Sequence, residues 1–355
     1  MTALLPVFDG HNDILLRLFN NPDKRSAIWL TGEGKGHLDL PRMKQGGFVG
    51  GFFAIYIPSP HAHDAPDYDL LMDAPPYDLP LPDLIGHYAA QPVALAMAGH
   101  LAWMERASNG AFKICTTAAE LRDCLLRGVI SGIMHMEGAE AIGPDLDALY
   151  LYYGMGLRSL GPVWSRPTAF GHGVPFRYPG NPDTGPGLTD AGKALVTACN
   201  ELKIMLDLSH LNEAGFNDIA KISNAPLVAT HSNAHAITPS TRNLTDRQLA
   251  MIKDSGGMVG LNFATVFLRP DGRKSPDMGL DVMLRHLDYL IAHLGEDHVG
   301  LGSDFDGATV PDPIKDVAGL PVLVQAMRNH GYDEALMHKL AYKNWFGVLQ
   351  RTWGV

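Results

Sequence analysis

The sequence lacks several features that would each define a class of protein. Only three of its 355 residues are cysteine, and Cys115, Cys124 and Cys199 form no CxxC pair. We therefore predict neither a disulfide framework nor a cysteine-based zinc site, and free thiols suit a reducing compartment. No apolar run approaches the roughly 20 residues that span a bilayer. Residues 1–6 contain no basic residue, so no signal peptide is predicted and the expected location is the cytoplasm.

Positive charge is also scarce. The chain has 28 Lys and Arg residues against 38 Asp and Glu residues, which gives a formal net charge of −10. This balance argues against nucleic acid and against an anionic membrane surface as partners. Charged residues make up 19% of the chain and hydrophobic residues 46%. Such a composition is typical of a folded globular protein with a large core rather than of a disordered chain.

Short apolar segments recur along the chain and alternate with helical patterns. Each apolar segment is typical of a buried strand, and the stretches between them have the spacing of amphipathic helices. The predicted strands cover residues 4–8, 46–57, 128–138, 158–164, 203–210, 225–231, 257–263 and 298–304. Eight strands separated by helices predict a (β/α)8 barrel, because an open doubly wound sheet usually has fewer strands. No linker or repeat divides residues 1–355, so we predict one domain.

Two irregular stretches interrupt this alternation. Residues 58–82 are rich in Pro, Asp and His, and their His61-x-His63 pair can bind a metal but also suits a solvated loop. Residues 165–187 are dense in Gly and Pro and are typical of an active-site loop or a surface excursion. Among the predicted helices are 84–108, 144–155, 281–294 and 333–352, and capping boxes are predicted at Thr117-x-x-Glu120 and Thr245-x-x-Gln248.

Residue types that bind metals lie at the ends of several predicted strands. His11 and Asp13 are two positions apart, so in extended backbone they point to the same side and can bind one cation together. In a barrel the carboxyl ends of all strands meet at one rim, where catalytic groups lie. The candidates at this rim are His11, Asp13, Glu137, His210, His231 and Asp304.

Each candidate alone has a simpler explanation. A histidine at a strand end is often a hydrogen-bonded structural residue, and Asp304-Phe305-Asp306-Gly307 can be an ordinary turn. Six such residues at one rim favour a metal site instead, since imidazole and carboxylate groups are ordinary zinc ligands. The hypothesis is a dinuclear zinc site, in which one carboxylate must bridge the ions.

The ligands can be divided between two zinc ions. His11 and Asp13 would bind one ion, His210 and His231 the other, and Glu137 and a hydroxide would bridge them. Two ions about 3.5–4 Å apart can lower the pKa of the hydroxide and polarise a carbonyl group, which suits hydrolysis. Asp304 would then remain as the acid/base group that moves a proton to the leaving amine.

Six motifs of the chain resemble those of a known family. They are Asp9-Gly10-His11-Asn12-Asp13, Glu137-Gly138, Asp207-Leu208-Ser209-His210, Thr230-His231-Ser232-Asn233-Ala234, Thr241-Arg242-Asn243 and Gly302-Ser303-Asp304-Phe305-Asp306-Gly307. In this order they resemble the membrane dipeptidase (renal dipeptidase) family of metallopeptidases, within the amidohydrolase-type barrels. The resemblance spans nearly the whole chain. It implies the same five zinc ligands that the residues at the strand ends indicate.

The resemblance also implies substrate contacts. Arg242 matches the arginine that holds the terminal carboxylate of the substrate, for which a guanidinium fork is well suited; the alternative is a surface ion pair. Asp304 matches the catalytic acid/base residue. Asn262, at the end of the seventh predicted strand, is a further candidate for substrate binding.

The chain departs from the mammalian members of the family in two ways. It has no signal peptide and no lipid-anchor tail, which favours a soluble bacterial-type member. Trp164 stands where those members carry a histidine that contacts the substrate, and its indole N–H is still a donor. We expect Trp164 to line the substrate pocket, with core packing as the alternative, and His172 in the next loop can supply the missing donor.

The predicted function is hydrolysis of the amide bond of dipeptides with a free C-terminal carboxylate. A related amidohydrolase acting on N-acyl amino acids or other small amides is the first alternative. A metal-binding barrel without catalysis and a two-metal phosphoesterase are alternatives of another class, although a phosphoesterase would be expected to offer more basic side chains than Arg242. The expected partner is a small dipeptide, with neither nucleic acid nor membrane, and the chain is compatible with a homodimer.

Overall fold

Eight parallel strands form the barrel of this computed structural model, which describes residues 4–60 and 68–354. They are β1 Val7–Asn12, β2 Phe48–Tyr56, β3 Ile130–Glu137, β4 Leu157–Gly161, β5 Met205–Leu206, β6 Val228–Ala229, β7 Met258–Asn262 and β8 Val299–Gly302. Neighbours in the chain are neighbours in the sheet, and β8 pairs with β1. A parallel bridge between Asp207 and Val228 closes the ring between β5 and β6. The predicted (β/α)8 barrel is confirmed.

Helices surround the strands. Their bounds are Ile14–Asn20, Leu40–Gly46, Tyr68–Met72, His87–Ala107, Ala118–Arg127, Asp147–Met155, Asp190–Leu202, Glu213–Ile222, Asp246–Asp254, Thr265–Leu268, Asp281–Leu294, Leu320–His330, Glu334–His338 and Asn344–Trp353. A π-helical turn, Lys339–Lys343, joins the last two, so the helix predicted at 333–352 is interrupted. Three short strands are additional to the ring of eight: Phe112–Ile114 pairs parallel with β3, whereas Tyr77–Asp78 and Arg177–Tyr178 pair with each other.

The two predicted capping boxes differ in the structure. Thr245 and Gln248 form the full reciprocal box at the start of helix Asp246–Asp254. At the other position Thr117 Oγ1 accepts a hydrogen bond from the Glu120 backbone, but the Glu120 carboxylate accepts from Thr116 instead of returning to Thr117. Only one of the two hydrogen bonds predicted for Thr117-x-x-Glu120 is therefore present, because Thr116 and Lys113 bind the Glu120 carboxylate instead.

The barrel interior is filled around a tryptophan from the last helix. One cluster of buried apolar side chains contains Trp345 and residues of six barrel strands, which only the interior can bring together. A Cβ atom added to Gly10, Gly260 or Gly300 would come within 3.0 Å of the Trp345 ring. Glycine inside a strand often marks such a close approach. These three glycines therefore make room for the indole.

The two irregular stretches meet above the rim. Tyr77–Asp78 pairs antiparallel with Arg177–Tyr178, and Leu79 N donates to Phe176 O at 2.9 Å. The stretch predicted at 58–82 is thereby joined to the loop predicted at 165–187. The His61-x-His63 pair lies outside the described residues.

The described part of the chain contains no helix that is long and apolar enough to cross a membrane. The three cysteines are buried and form no disulfide, as expected for packing residues.

Candidate active site

Three histidine side chains converge on one carboxylate oxygen at the carboxyl end of the barrel. Glu137 ends β3, and its Oε1 lies 3.0 Å from His210 Nε2, 3.4 Å from His231 Nε2 and 3.6 Å from His11 Nε2. All four side chains are buried. His210 and His231 follow β5 and β6, and His11 lies in β1, so the closed ring of parallel strands brings them to the same place.

The spacing of these atoms fits a metal. Two ligand atoms held about 2.0–2.2 Å from a tetrahedral zinc ion lie roughly 3.3–3.6 Å apart. Besides the three distances to Glu137, His210 Nε2 and His231 Nε2 are 3.2 Å apart. Both ring nitrogens of His11 are buried without a hydrogen-bond partner, which is unusual for polar atoms in a protein interior. A cation would satisfy them, so this donor set fits a metal.

Asp13 and Asp304 extend the same cluster. Asp13 Oδ2 lies 3.4 Å from His11 Nε2, as expected for residues two apart in extended backbone. Ligand atoms of His11, Asp13 and Asp304 lie within 4.8 Å of one another. The structure thus brings the five predicted ligands and Asp304 together.

Burial and neighbouring charges determine the protonation of the cluster. Burial alone would lower the pKa of His11, but the carboxylates of Glu137 and Asp13 outweigh it and raise this pKa to about 10. Burial also raises the pKa of Glu137 well above its usual range. Burial lowers the pKa of His210 and of His231 well below the usual range, so both rings are neutral and able to bind a metal. A metal ion would displace the proton of His11.

Hydroxyl groups hold two of the imidazole rings from behind. Ser165 Oγ lies 2.9 Å from His210 Nδ1, and Thr230 Oγ1 lies 2.8 Å from His231 Nδ1. The Nε2 atoms are left facing Glu137. Neither hydroxyl residue was predicted from the sequence. Thr230 directly precedes a predicted ligand, which could have indicated its role, whereas no pattern marks Ser165.

Asp304 begins a tight turn after β8. Its φ is 59°, its N–H donates to His11 O at 3.0 Å, and its carbonyl accepts from Gly307 N at 3.1 Å. A Cβ added to Gly307 would lie 2.1 Å from Asp13 Oδ2 and 2.6 Å from Asp304 Oδ1. Only glycine fits between the two carboxylates. The turn interpretation and the site interpretation of this motif are therefore compatible, because the turn places the carboxylate.

Asn262 contacts Asp304 directly. Its Nδ2 donates to Asp304 Oδ2 at 3.0 Å, and its Oδ1 accepts from Ala264 N at 2.6 Å. Burial raises the pKa of Asp304, although the charge of His11 and the Asn262 hydrogen bond oppose the shift. Contact between Asn262 and a substrate stays a prediction, since this amide is already engaged on both sides.

Arg242 lies behind the histidines. One terminal nitrogen donates to the Ser209 carbonyl and the other to His231 O at 3.1 Å, while Nε is buried without a partner. The guanidinium carbon lies 5.3 Å from the centre of the Phe267 ring. Burial lowers the pKa of Arg242 to about 10, against the opposing charge of Asp304. Arg242 is not the surface residue of the alternative interpretation, because it is 2% exposed.

A cavity of about 290 Å³ opens onto these groups. Asp13, Glu137, His210 and Asp304 line its polar side. Aromatic side chains also line it. The Trp164 ring lies 5.1 Å from the Tyr56 ring and 5.6 Å from the Phe176 ring, centre to centre, and 5.9 Å from His210. Trp164 is therefore placed at the cavity wall, whereas His172 is not among the described residues that line it.

A buried ion pair anchors this wall. Arg166, which is fully buried, bonds to Glu140 at 2.9 Å, to Ile57 O at 2.6 Å and to Ser59 Oγ at 2.9 Å. These partners belong to the segments that follow β2 and β3. The guanidinium carbon also lies 5.4 Å from the centre of the Trp164 ring. One side chain thus fixes three loops around the cavity, and breaking such a pair usually costs far more than an exposed one.

Two solved structures are closely similar to this chain. A metallo peptidase from Rhodobacter sphaeroides, liganded with a phosphinate mimic of the dipeptide L-Ala-D-Ala, is 72% identical with a TM-score of 0.97, over 99% of this chain and 100% of that one. A metallo peptidase of family M19, dipeptidase AC, is 70% identical, with the same TM-score and coverage.

Curated sequences are similar as well. The "uncharacterized protein in pqqA 5'region" of Klebsiella pneumoniae is 50% identical over 246 residues, which is 69% of this chain and 91% of that protein. The chain also matches the family described as membrane dipeptidase (peptidase family M19) over residues 1–353. It therefore belongs to the membrane dipeptidase family and is a metal-dependent hydrolase that acts on peptide bonds.

Proposed function

We propose that the enzyme hydrolyses dipeptides and uses two zinc ions to do so. Five side chains, Glu137 among them, would hold these ions. His11 and Asp13 would hold one ion, His210 and His231 the other, and Glu137 would bridge them. The observation that carries the proposal is the convergence of three Nε2 atoms on Glu137 Oε1 at 3.0–3.6 Å. When bound, the ions would lower the pKa of a water molecule and polarise the scissile carbonyl.

Asp304 supplies the acid/base group of this proposal. Its carboxylate lines the cavity beside Asp13 and Glu137, close enough to the metal ligands to receive a proton from the attacking water. It then passes this proton to the leaving amine. Asn262 holds Oδ2 of Asp304 at 3.0 Å, which leaves Oδ1 for the proton. Burial raises the pKa of Asp304, so its protonated form is easier to reach than that of an exposed aspartate.

Arg242 supplies a positive charge behind His210 and His231. Its two terminal nitrogens already donate to the Ser209 and His231 carbonyls. A bidentate grip on a carboxylate would require release of these bonds. We therefore propose that Arg242 favours a substrate with a free C-terminal carboxylate through its charge, which acts strongly in a buried site.

The site cavity and the Rhodobacter sphaeroides relative together support a class of substrate. The cavity has room for small substrate side chains between its aromatic residues and the ligand cluster. The Rhodobacter sphaeroides relative carries a mimic of L-Ala-D-Ala. We propose that this enzyme accepts small dipeptides of the same L,D configuration.

Rates on matched substrates test the proposed function. The zinc-loaded protein is offered L-Ala-D-Ala, L-Ala-L-Ala, amidated L-Ala-D-Ala and N-acetyl-D-Ala, and amino acid release is measured with and without a chelator. We expect chelator-sensitive release that is fastest from L-Ala-D-Ala. Equal rates on the amidated or N-acetyl compound would favour the alternative amidohydrolase, and zinc binding without turnover would favour a non-catalytic barrel.

Trp164→His should change which dipeptides are preferred. The indole fills part of the aromatic wall, so a smaller ring opens space for a larger substrate side chain. Pocket changes of this size alter discrimination by roughly 10–200-fold, and we expect the ratio of kcat/KM for large over small side chains to rise at least about tenfold. The measurement is kcat/KM over a panel of dipeptides, with zinc content and thermal unfolding beside it.

Trp103→His is the matched control for this change. Trp103 lies on helix His87–Ala107, half-buried against Arg25 at 4.8 Å and outside the cavity lining. It should leave the ranking of substrates as in the wild type. If Trp164→His unfolds, or keeps the wild-type ranking, Trp164 is a packing residue.

A further inference from the structure

We propose that Asp207, acting through the hydroxyl of Thr230, is a positioning residue that fixes the tautomer of His231 and leaves its Nε2 free for the metal. The inference rests on the proposed function, since a metal is what that nitrogen would bind. Asp207 directly follows β5 and is buried. It is not among the described residues that line the site cavity, so it would not contact substrate.

Asp207 behaves as a pure acceptor. Its Oδ1 accepts from Ser209 N at 3.1 Å, from Ser209 Oγ at 2.6 Å and from Thr230 N at 2.9 Å. Its Oδ2 accepts from Thr230 Oγ1 at 2.5 Å. Two oxygens that receive four donors act as a carboxylate, which has acceptor sites only. The short last distance is typical of a hydroxyl bonded to a charged oxygen.

The direction of the single hydrogen of the Thr230 hydroxyl determines which nitrogen of His231 carries a proton. The hydroxyl hydrogen points to Asp207, because the other oxygen within reach, Ser209 Oγ, is 3.3 Å away and has its own hydrogen on Asp207. The Thr230 oxygen must then accept at its remaining lone pair, and His231 Nδ1 lies 2.8 Å from it. His231 consequently carries its proton on Nδ1. Its Nε2 is bare and faces Glu137 Oε1 at 3.4 Å.

The two other histidines of the cluster are held differently. His210 Nδ1 has the Ser165 hydroxyl at 2.9 Å, and among the described contacts no carboxylate stands behind that hydroxyl. His11 has no hydrogen-bond partner at either ring nitrogen. His231 is therefore the ligand whose protonation is set in advance by the protein. Partners of this kind orient a ligating histidine, and their removal typically costs about 10–100-fold in metal affinity.

The same residues also help to close the barrel. Asp207 pairs with Val228 in the bridge between β5 and β6, so a purely structural role would equally explain its hydrogen bonds. The two roles differ in one respect. Closing the barrel uses backbone groups of Asp207 and Val228, and the Thr230 backbone N–H donates to Asp207 Oδ1. Fixing the tautomer uses only the Thr230 hydroxyl, so a substitution can separate the two roles.

Thr230→Val and Thr230→Ser form the matched pair. Valine keeps the shape of threonine and removes the hydroxyl, while serine keeps the hydroxyl. We expect Thr230→Val to bind one zinc ion about 10–100-fold more weakly in competition with a chelator, and Thr230→Ser to stay within a few-fold of the wild type. Equal zinc affinity in all three proteins, or an equal loss in both variants, would overturn the proposal.

Ring nitrogen NMR of histidine-labelled, metal-free protein reads the tautomer without any zinc. The His231 signals are identified by their absence in His231→Gln. We expect an Nδ1–H tautomer in the wild type and in Thr230→Ser; an Nε2–H tautomer in the wild type overturns the proposal even if the valine variant does not fold. Zinc that fails to bind the wild type would instead contradict the proposed function and leave this measurement valid.

Discussion

Asp304→Asn should lower kcat about 10²–10⁴-fold, the usual contribution of a general acid/base group, while zinc content stays unchanged. Asparagine has the size of aspartate but cannot take up and release the proton. It also tolerates a positive φ better than most residues, so the turn that begins at φ 59° is expected to survive. The measurement is kcat on L-Ala-D-Ala together with zinc analysis of the purified variant.

Asp306→Asn offers the matched control two residues away. Asp306 is also a largely buried carboxylate with positive φ, but it faces His37 and Arg17 and does not line the cavity. Its substitution should leave kcat within a few-fold of the wild type. A kcat for Asp304→Asn that stays within a few-fold would mean that the turn is the whole role of Asp304.

The barrel could be predicted because its strands are apolar and its rim residues are chemically distinctive. Even β5 and β6, which are only two residues long, lie in longer buried segments that the sequence reveals. The first strand was predicted at residues 4–8 but spans Val7–Asn12. Its carboxyl half is polar yet buried: the Asp9 carboxylate accepts hydrogen bonds from Ser303, and Asn12 Nδ2 donates to Phe52 O. Apolar patterning cannot reveal such a segment.

The residues that support the site could not be predicted for a different reason. Glu140 and Arg166 are 26 positions apart, and nothing in the spacing of the chain indicates that they form a buried pair. Likewise Ser165 reaches His210 only because the loop after β4 folds over β5. Sequence patterns describe which residues share a strand or a rim, whereas these contacts depend on how loops cross. The residues missed are therefore the ones that hold the ligands and the cavity wall.

Arg242 illustrates the limit of a resemblance. The motif Thr241-Arg242-Asn243 implies contact with the substrate carboxylate, and the residue does lie near the cluster, where the charges of Asp304 and Glu137 act on it. Its hydrogen bonds, however, go to the carbonyls of the segments that carry His210 and His231. A resemblance transfers the position of a residue and its chemical type. How strongly the charge of Arg242 acts on the substrate depends on contacts that are specific to this chain.

Glu137→Gln should weaken the binding of both zinc ions together, by about 100-fold or more. Even residues that only support a ligand contribute about 10–100-fold to metal affinity. Glu137 Oε1 lies within 3.6 Å of all three histidine Nε2 atoms, and an amide oxygen carries no charge to hold two cations close together. The measurement is zinc stoichiometry and affinity by competition with a chelator. Loss of one ion with normal affinity for the other would contradict the bridging role.

The pH dependence of zinc binding gives an independent check on the same residue. In the metal-free protein the pKa of His11 is about 10, raised chiefly by Glu137 against the effect of burial, so His11 is protonated at neutral pH and must release that proton to bind zinc. Apparent zinc affinity of the wild type should therefore rise as the pH increases from 6 to 8, by about tenfold per unit for each proton released. In Glu137→Gln the largest of the charges that raise the pKa of His11 is gone, so this pKa falls and the rise should become shallower. A slope equal to that of the wild type would show that Glu137 does not set the charge of His11.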